Sequence, residues 1–204
     1  DNSDIGAVEA QAIIVTNDET IGVPGSLRFA IENAPPNSDI LFEPVFFSVF
    51  HLILVEPEIA IDKSLTIQGP GAQLLHLSGV NVNRVFNIAA GGWNVAISGL
   101  TIRNGNGGEL GGAIRSNSNL TLTGCAIENS TASTQGGGVY MKEAVGTFTN
   151  CTFSGNSATK FADASIGGAV ALNEASGTFT NCTISGNTAP LGGGIFVFGE
   201  NDHQ

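Results

Sequence analysis

The sequence predicts an all-β repeat fold, and three observations carry that prediction. Glycine supplies 28 of the 204 residues, about twice its ordinary share. With no Gly-X-Y period, and scattered among short β-branched runs, it marks many short strands joined by tight turns. Paired glycines recur in Gly111-Gly112-Ala113-Ile114, Gly137-Gly138-Val139-Tyr140, Gly167-Gly168-Ala169-Val170 and Gly193-Gly194-Ile195-Phe196, at offsets of 26, 30 and 26 residues. In phase with them run a Cys125, Cys151, Cys182 series and a third series of Leu120-Thr121-Leu122-Thr123, Thr147-Phe148-Thr149-Asn150 and Thr178-Phe179-Thr180-Asn181. Three short strands per period is the requirement of a solenoid of triangular cross-section whose coils stack through parallel pairing. Propeller blades, at about 40 residues or more, are excluded by the period. Parallel crossovers are strongly biased to the right hand, so the expected fold is a right-handed parallel β-helix, with regular coils over about residues 95–198.

The elements follow in chain order. Residues 1–12 read as the closing segment of a preceding unit or an exchanged strand, and 13–204 as the β-helix domain. An open first coil would expose apolar interior and a strand edge. Ser26 as N-cap, with Leu27, Ala30, Ile31 and Ala34 on one helical face and Pro35-Pro36 as a stop, predicts a capping helix over 26–34. Less regular rungs follow at Leu65-Thr66-Ile67, Leu75-His76-Leu77, Val85-Phe86-Asn87-Ile88, Val95-Ala96-Ile97 and Leu100-Thr101-Ile102. They bring the total to about seven coils and the rod to about 35 Å.

Composition narrows the function. The chain has 7 Lys and Arg against 18 Asp and Glu, a net charge of -11. Phosphate contacts need clustered cations, so a nucleic-acid partner is not expected. Apolar residues make up 42%, which argues against disorder. No apolar run approaches the roughly 20 residues that span a bilayer, so membrane insertion by this segment is not expected. Without an initiator Met or a recognisable signal peptide, the chain reads as a processed or excised piece of something larger.

Residues 25–31, Gly-Ser-Leu-Arg-Phe-Ala-Ile, resemble the Cys-Ser-Leu-Arg-Glu-Ala-Ile signature that opens a family of bacterial surface-exposed parallel β-helix domains, with Gly25 in place of Cys and Phe29 in place of Glu. The Gly-Gly-Ala-Ile repeats and Phe153-Ser154-Gly155-Asn156 look like the two repeat motifs of chlamydial polymorphic outer membrane proteins. The resemblance covers about residues 13–198. It implies an adhesin or structural surface protein, extracellular, at the cell surface or secreted. Asp4-Ile5-Gly6-Ala7-Val8-Glu9 is similar to the Asp-Ile-Gly-Ala-Xaa-Glu segment that closes such domains, yet here it precedes the cap.

These readings lead to an assembly hypothesis. Gly193 to Phe198 starts a coil that the following residues do not complete. Head-to-tail units, with residues 1–16 of one completing the last coil of its neighbour by strand addition, make Asp4, Ile5, Gly6, Ala7, Val8, Ile13, Ile14, Val15, Ile195, Phe196, Val197 and Phe198 the candidate assembly interface. A boundary cut inside a longer chain explains the same pattern.

Other candidates are weighed singly. Leu100, Cys125, Cys151 and Cys182 share a coil position and read as a buried structural ladder, with a disulfide between rungs as the alternative. Asn156 and Asn187 read as turn residues bonding backbone groups. Asn119, Asn129, Asn150 and Asn181 match glycosylation sequons, which in a bacterial β-helix reads as coincidence. Glu143 and Glu174 share a position and are weak candidates for a structural calcium; two solvated turn glutamates is the plainer reading. No cofactor is expected. Lys63, Arg84 and Arg103 are candidates to line one face. Residues 157–166 lengthen one turn and offer Lys160 and Phe161 as a surface contact, with Trp93 beside Gly91-Gly92 as a second exposed aromatic. The dispersed acids and unrelated His51, His76 and His203 argue against an enzyme, although many β-helices are polysaccharide lyases or epimerases. The expected function is therefore a non-enzymatic extracellular structural or adhesive module, self-associating or binding a glycan or a neighbouring cell surface. A polysaccharide-binding module or a lyase or epimerase fragment is the alternative. An ice-binding face is more remote: Thr147-Phe148-Thr149 and Thr178-Phe179-Thr180 match, while Leu120-Thr121-Leu122-Thr123 reads in a different phase.

Overall fold

The computed structural model describes residues 12–20, 22–159 and 166–199. Asp4, Ile5, Gly6, Ala7, Val8, Lys160, Phe161 and His203 lie outside the described residues. The chain winds as a right-handed parallel β-solenoid of about seven turns. Among the described residues its strands form three long parallel sheets, one on each side of the coil, and a short two-stranded parallel sheet of Thr131–Ala132 and Ser157–Ala158.

The first sheet stacks Ala12–Val15, Ser38–Phe42, Leu65–Gln68, Asn94–Ser98, Asn119–Thr123, Val145–Thr149 and Ser176–Thr180. The second stacks six strands from His51–Leu54 to Thr183–Ser185, and the third six from Ile59–Ile61 to Ile195–Phe198. Alternation sets which side chains point inward: Leu65 and Ile67 are buried while Thr66 and Gln68 face out. Stacked inward residues fill the coil, with Phe148 lying on Phe179 of the next rung at a 4.6 Å centroid separation. Corners are turned by columns of residues in the left-handed region, where Asn and Gly are least strained. One column is Asn104, Asn129, Gly155 and Gly186, and another is Gly99, Gly124, Asn150 and Asn181.

The register differs by one residue from the alignment expected at the paired glycines. Ile114 pairs with Val139, not Tyr140, and Val139 with Val170. Likewise Thr121 pairs with Thr147 and Thr123 with Thr149. At the glycines the counterpart of Gly111 is Gly136, both in the left-handed region, and not Gly137. Lys142-Glu143-Ala144, one residue longer than Asn117-Ser118 at the corner between the third and first sheets, then adds one residue to the coil, so the Thr121 to Thr147 pair and the Cys series beyond it share one register.

At the N-terminal end the expected helix forms over Leu27–Asn33, with Ser26 Oγ accepting from the Phe29 N–H at 3.2 Å. Leu27, Ala30 and Ile31 are buried. Lys63 Nζ donates to the carbonyls of Glu32 and Ala34 at 3.1 and 3.2 Å, satisfying groups that a helix end leaves unpaired. Arg28 donates to the Glu58 and Pro57 carbonyls, tying the cap to the chain leading into the third sheet. Gly25 has φ of +90°, and a Cβ there would lie 2.2 Å from Thr16 Oγ1, which fits glycine at that position. A 3-10 turn over Pro44–Phe47, with Phe46 buried, leads into the second sheet.

Candidate functional site

The strongest side-chain constellations hold the coils together. Arg84 is almost fully buried. Its Nη1 bonds Glu58 Oε2 at 2.6 Å, while Nε and Nη2 donate to the carbonyls of Gly111, Gly107 and Leu110 at 2.9, 2.6 and 2.8 Å. Burial pushes its pKa down and Glu58 opposes that shift. Glu58 Oε1 also accepts from Asn87 at 2.9 Å. Glu58 and Arg84 are a coil apart, so neither sequence spacing nor composition signals the pair. With Lys63 on the helix carbonyls and Arg103 Nη1 3.4 Å from His76 Nδ1, the expected shared cationic face resolves into three separate contacts.

The turn asparagines do what their position suggested. Asn156 is fully buried. Its Oδ1 accepts from the Ser130 N–H at 3.1 Å and its Nδ2 donates to the Ile127 carbonyl at 2.8 Å. Asn187 Oδ1 in turn accepts from the Asn156 N–H at 2.9 Å, and Ser130 Oγ from the Gly105 N–H at 3.0 Å. Each coil thus satisfies a backbone donor of the coil before it.

Leu100, Cys125 and Cys151 are buried in one column, with Cys182 half-buried at its end. All three thiols are free, so no disulfide joins the rungs. Burial pushes the Cys125 thiol up to about 12, and Cys151 is raised by the same cause. Their sulfurs sit against carbonyls, Cys151 Sγ at 3.3 Å from that of Thr149. Buried thiols of raised pKa are structural and not nucleophilic.

Glu143 and Glu174 stack one coil apart, both exposed, with the Glu143 N–H bonded to the Asn173 carbonyl. Lys142 Nζ lies 3.0 Å from Glu143 Oε1, and the two glutamates together raise the Lys142 pKa, Glu143 foremost. The pair thus has a cation from its own chain. Among the described residues no group of three or more His, Cys, Asp or Glu converges. Trp93 departs from expectation: it is half-buried against the core, and its ring fills the space where a Cβ on Gly91 would stand. It is not a protruding aromatic contact.

The two ends of the stack look different from its sides. Near the N-terminal end Ile14, Val45, Phe47, Val49, Phe50, Leu52 and Leu54 are exposed, Phe50 by 55%. At the C-terminal end Leu191 and Val197 are exposed; Val197 is 61% accessible although its partner Leu172 on the previous rung is buried. All the exposed large apolar side chains of the described residues lie at these ends, save Val82 and Val145. Ala12–Val15 pairs with Ser38–Phe42 of its own chain through Ile13 to Ile40 and Val15 to Phe42. Ile13, Ile14 and Val15 therefore form the first rung of their own sheet among the described residues. Phe196 packs with Tyr140 on the outside of the third sheet and Phe198 is buried there, so Ile195 and Val197 are the inward pair that the last rung leaves open.

The family comparison agrees with this geometry. A family model described as a right-handed beta helix region matches residues 77–203, more than half of the chain. The chain belongs to that family. Neither curated proteins nor solved structures gave a match. Within the described β-helix no helix is long and apolar enough to cross a membrane.

Proposed function

We infer that this β-helix is a non-enzymatic structural or adhesive module displayed outside the cell, whose working contacts lie at its two ends and join copies head to tail. The carrying observation is the placement of exposed apolar side chains: among the described residues they gather at both ends of the stack and are nearly missing from its sides. Apolar side chains at both ends of a stack whose strands all run one way suit contact of one copy's end with the other end of the next. A contact between unlike ends does not close on itself and grows linearly. The non-enzymatic reading is supported by the charged groups that meet: Arg84 with Glu58 and Lys63 with the helix carbonyls hold backbone in place. The likeness of residues 25–31 to a bacterial surface signature supports display outside the cell, and the cap gives that likeness a physical meaning. Its Ser is the N-cap, its Leu, Ala and Ile are the buried face, and its Arg ties the cap to the coil.

Electron microscopy of the purified protein over a range of concentrations, beside a turnover screen on neutral and acidic polysaccharides, tests this reading. The expected result is filaments with an axial repeat near one rod and no turnover. Isolated rods at every concentration, or release of sugar products, would overturn it.

A further inference from the structure

The outward face of the first sheet carries an array that the primary sequence obscures. Because Thr121 pairs with Thr147 and Thr147 with Thr178, while Thr123 pairs with Thr149 and Thr149 with Thr180, three successive rungs present Thr-x-Thr in one register. Going toward the N-terminus the columns continue as Ala96 and Ser98, then Thr66 and Gln68. Asp39, one rung further, is the first charge they meet. On a chain of net charge -11 this face is thus uncharged over five rungs.

We propose that this face binds ice, by holding a two-dimensional layer of water in register with the crystal. Rungs repeat at about 4.8 Å and alternate side chains along a strand at about 6.6 Å, so hydroxyls and methyls form a regular net. Threonine is stiff at χ1, and both flanking strands pair to the central one, so little freedom is lost on contact. At the margin, Asn119 Oδ1 accepts from the Val145 N–H at 2.9 Å and its Nδ2 donates to Asn94 Oδ1 at 3.1 Å, bracing the sheet beside the array. Charged groups order water around themselves radially; hydroxyl and methyl pairs let it keep its own lattice. The two threonine columns carry no aromatic ring on which a pyranose could stack, which favours the water lattice over a polysaccharide as the occupant. This face is distinct from the rod ends, so the inference stands independently of head-to-tail assembly.

The test is partition of the purified protein into a slowly grown ice hemisphere, with thermal hysteresis measured on the same sample. The expected result is several-fold enrichment of the protein in ice and a measurable hysteresis. Thr123→Tyr and Thr149→Tyr should reduce both to the level of a protein excluded from ice, while Thr183→Tyr on the outer face of the second sheet should leave them unchanged. Circular dichroism melting confirms that each variant is folded. Thr123→Lys, at an exposed position, serves should an aromatic variant fail to fold. Exclusion of the wild type from ice, enrichment unaffected by the face variants, or retention on an insoluble neutral polysaccharide in place of ice would each overturn the proposal.

Discussion

Replacing Arg84 by Ala removes its bond to Glu58 and leaves three carbonyls, those of Gly107, Leu110 and Gly111, without this donor. Breaking a fully buried ion pair from one side costs about 3–5 kcal/mol; with Glu58 partly exposed, water screens part of that, so the Arg84→Ala variant should lose about 1–3 kcal/mol in urea unfolding. A loss below about 1 kcal/mol, the value of an exposed pair, would mean that the guanidinium is solvated. His76 gives a pH dependence. Burial and then Arg103 depress its pKa below 6.5, against weaker opposition from Glu128 and the Ala72 carbonyl, with the Phe50 ring edge-on to it at 4.8 Å. The neutral form is the one the fold favours. Its stabilising contribution is therefore complete above pH 6.5 and is lost as pH falls through the depressed folded value. His76→Gln should flatten that part of the stability profile; an unchanged profile would remove His76 as its cause. None of these contacts was legible in the sequence, because each joins residues a coil apart whose spacing carries no chemical signature.

The helix and the three-strand period were legible, because each is written in local chemistry, whereas the corner columns of Asn and Gly emerge only once the coils are stacked. Ser26 before Leu27 and Ala30-Ile31 is a cap followed by an apolar face, and Asn or Gly at a corner is the residue that tolerates the left-handed region. The one-residue shift at Gly136 and Gly137 was not legible, since matching glycine pairs by type cannot tell a positive-φ glycine from its close-packed neighbour. The correct register shows what the second glycine does. A Cβ on Gly137 would lie 2.4 Å from the Gly168 carbonyl oxygen, and one on Gly112 would lie 2.1 Å from that of Gly137. At a compatible position Gly→Ala gains about 0.4–1 kcal/mol. Gly137→Ala should instead destabilise the fold, because only backbone movement can relieve the contact. A thermal melt at or above that of the wild type would show that the coils are spaced more widely than described.

At the scale of the whole molecule, the rod has polar sides and apolar ends. The sequence already set Ile195 to Phe198 on the last coil; that Val45, Phe47, Phe50, Leu52 and Leu54 stand exposed near the opposite end was not legible, because which side chains stay uncovered there follows from how the first coil winds. Repulsion between chains of net charge -11 opposes association at low ionic strength, so added salt should promote it. A head-to-tail contact between unlike surfaces makes a specific prediction for variants that each disable one end. The decisive measurement is sedimentation velocity of Val197→Lys and of a Phe50→Lys, Leu52→Lys double variant, each alone and then mixed in equal amounts. Each variant alone should remain a monomer where the wild type forms longer species, and the mixture should give a dimer and nothing larger, since one intact head meets one intact tail. Monomers in the mixture beside monomers of the wild type, or unchanged oligomers of either variant alone, would contradict assembly through the ends.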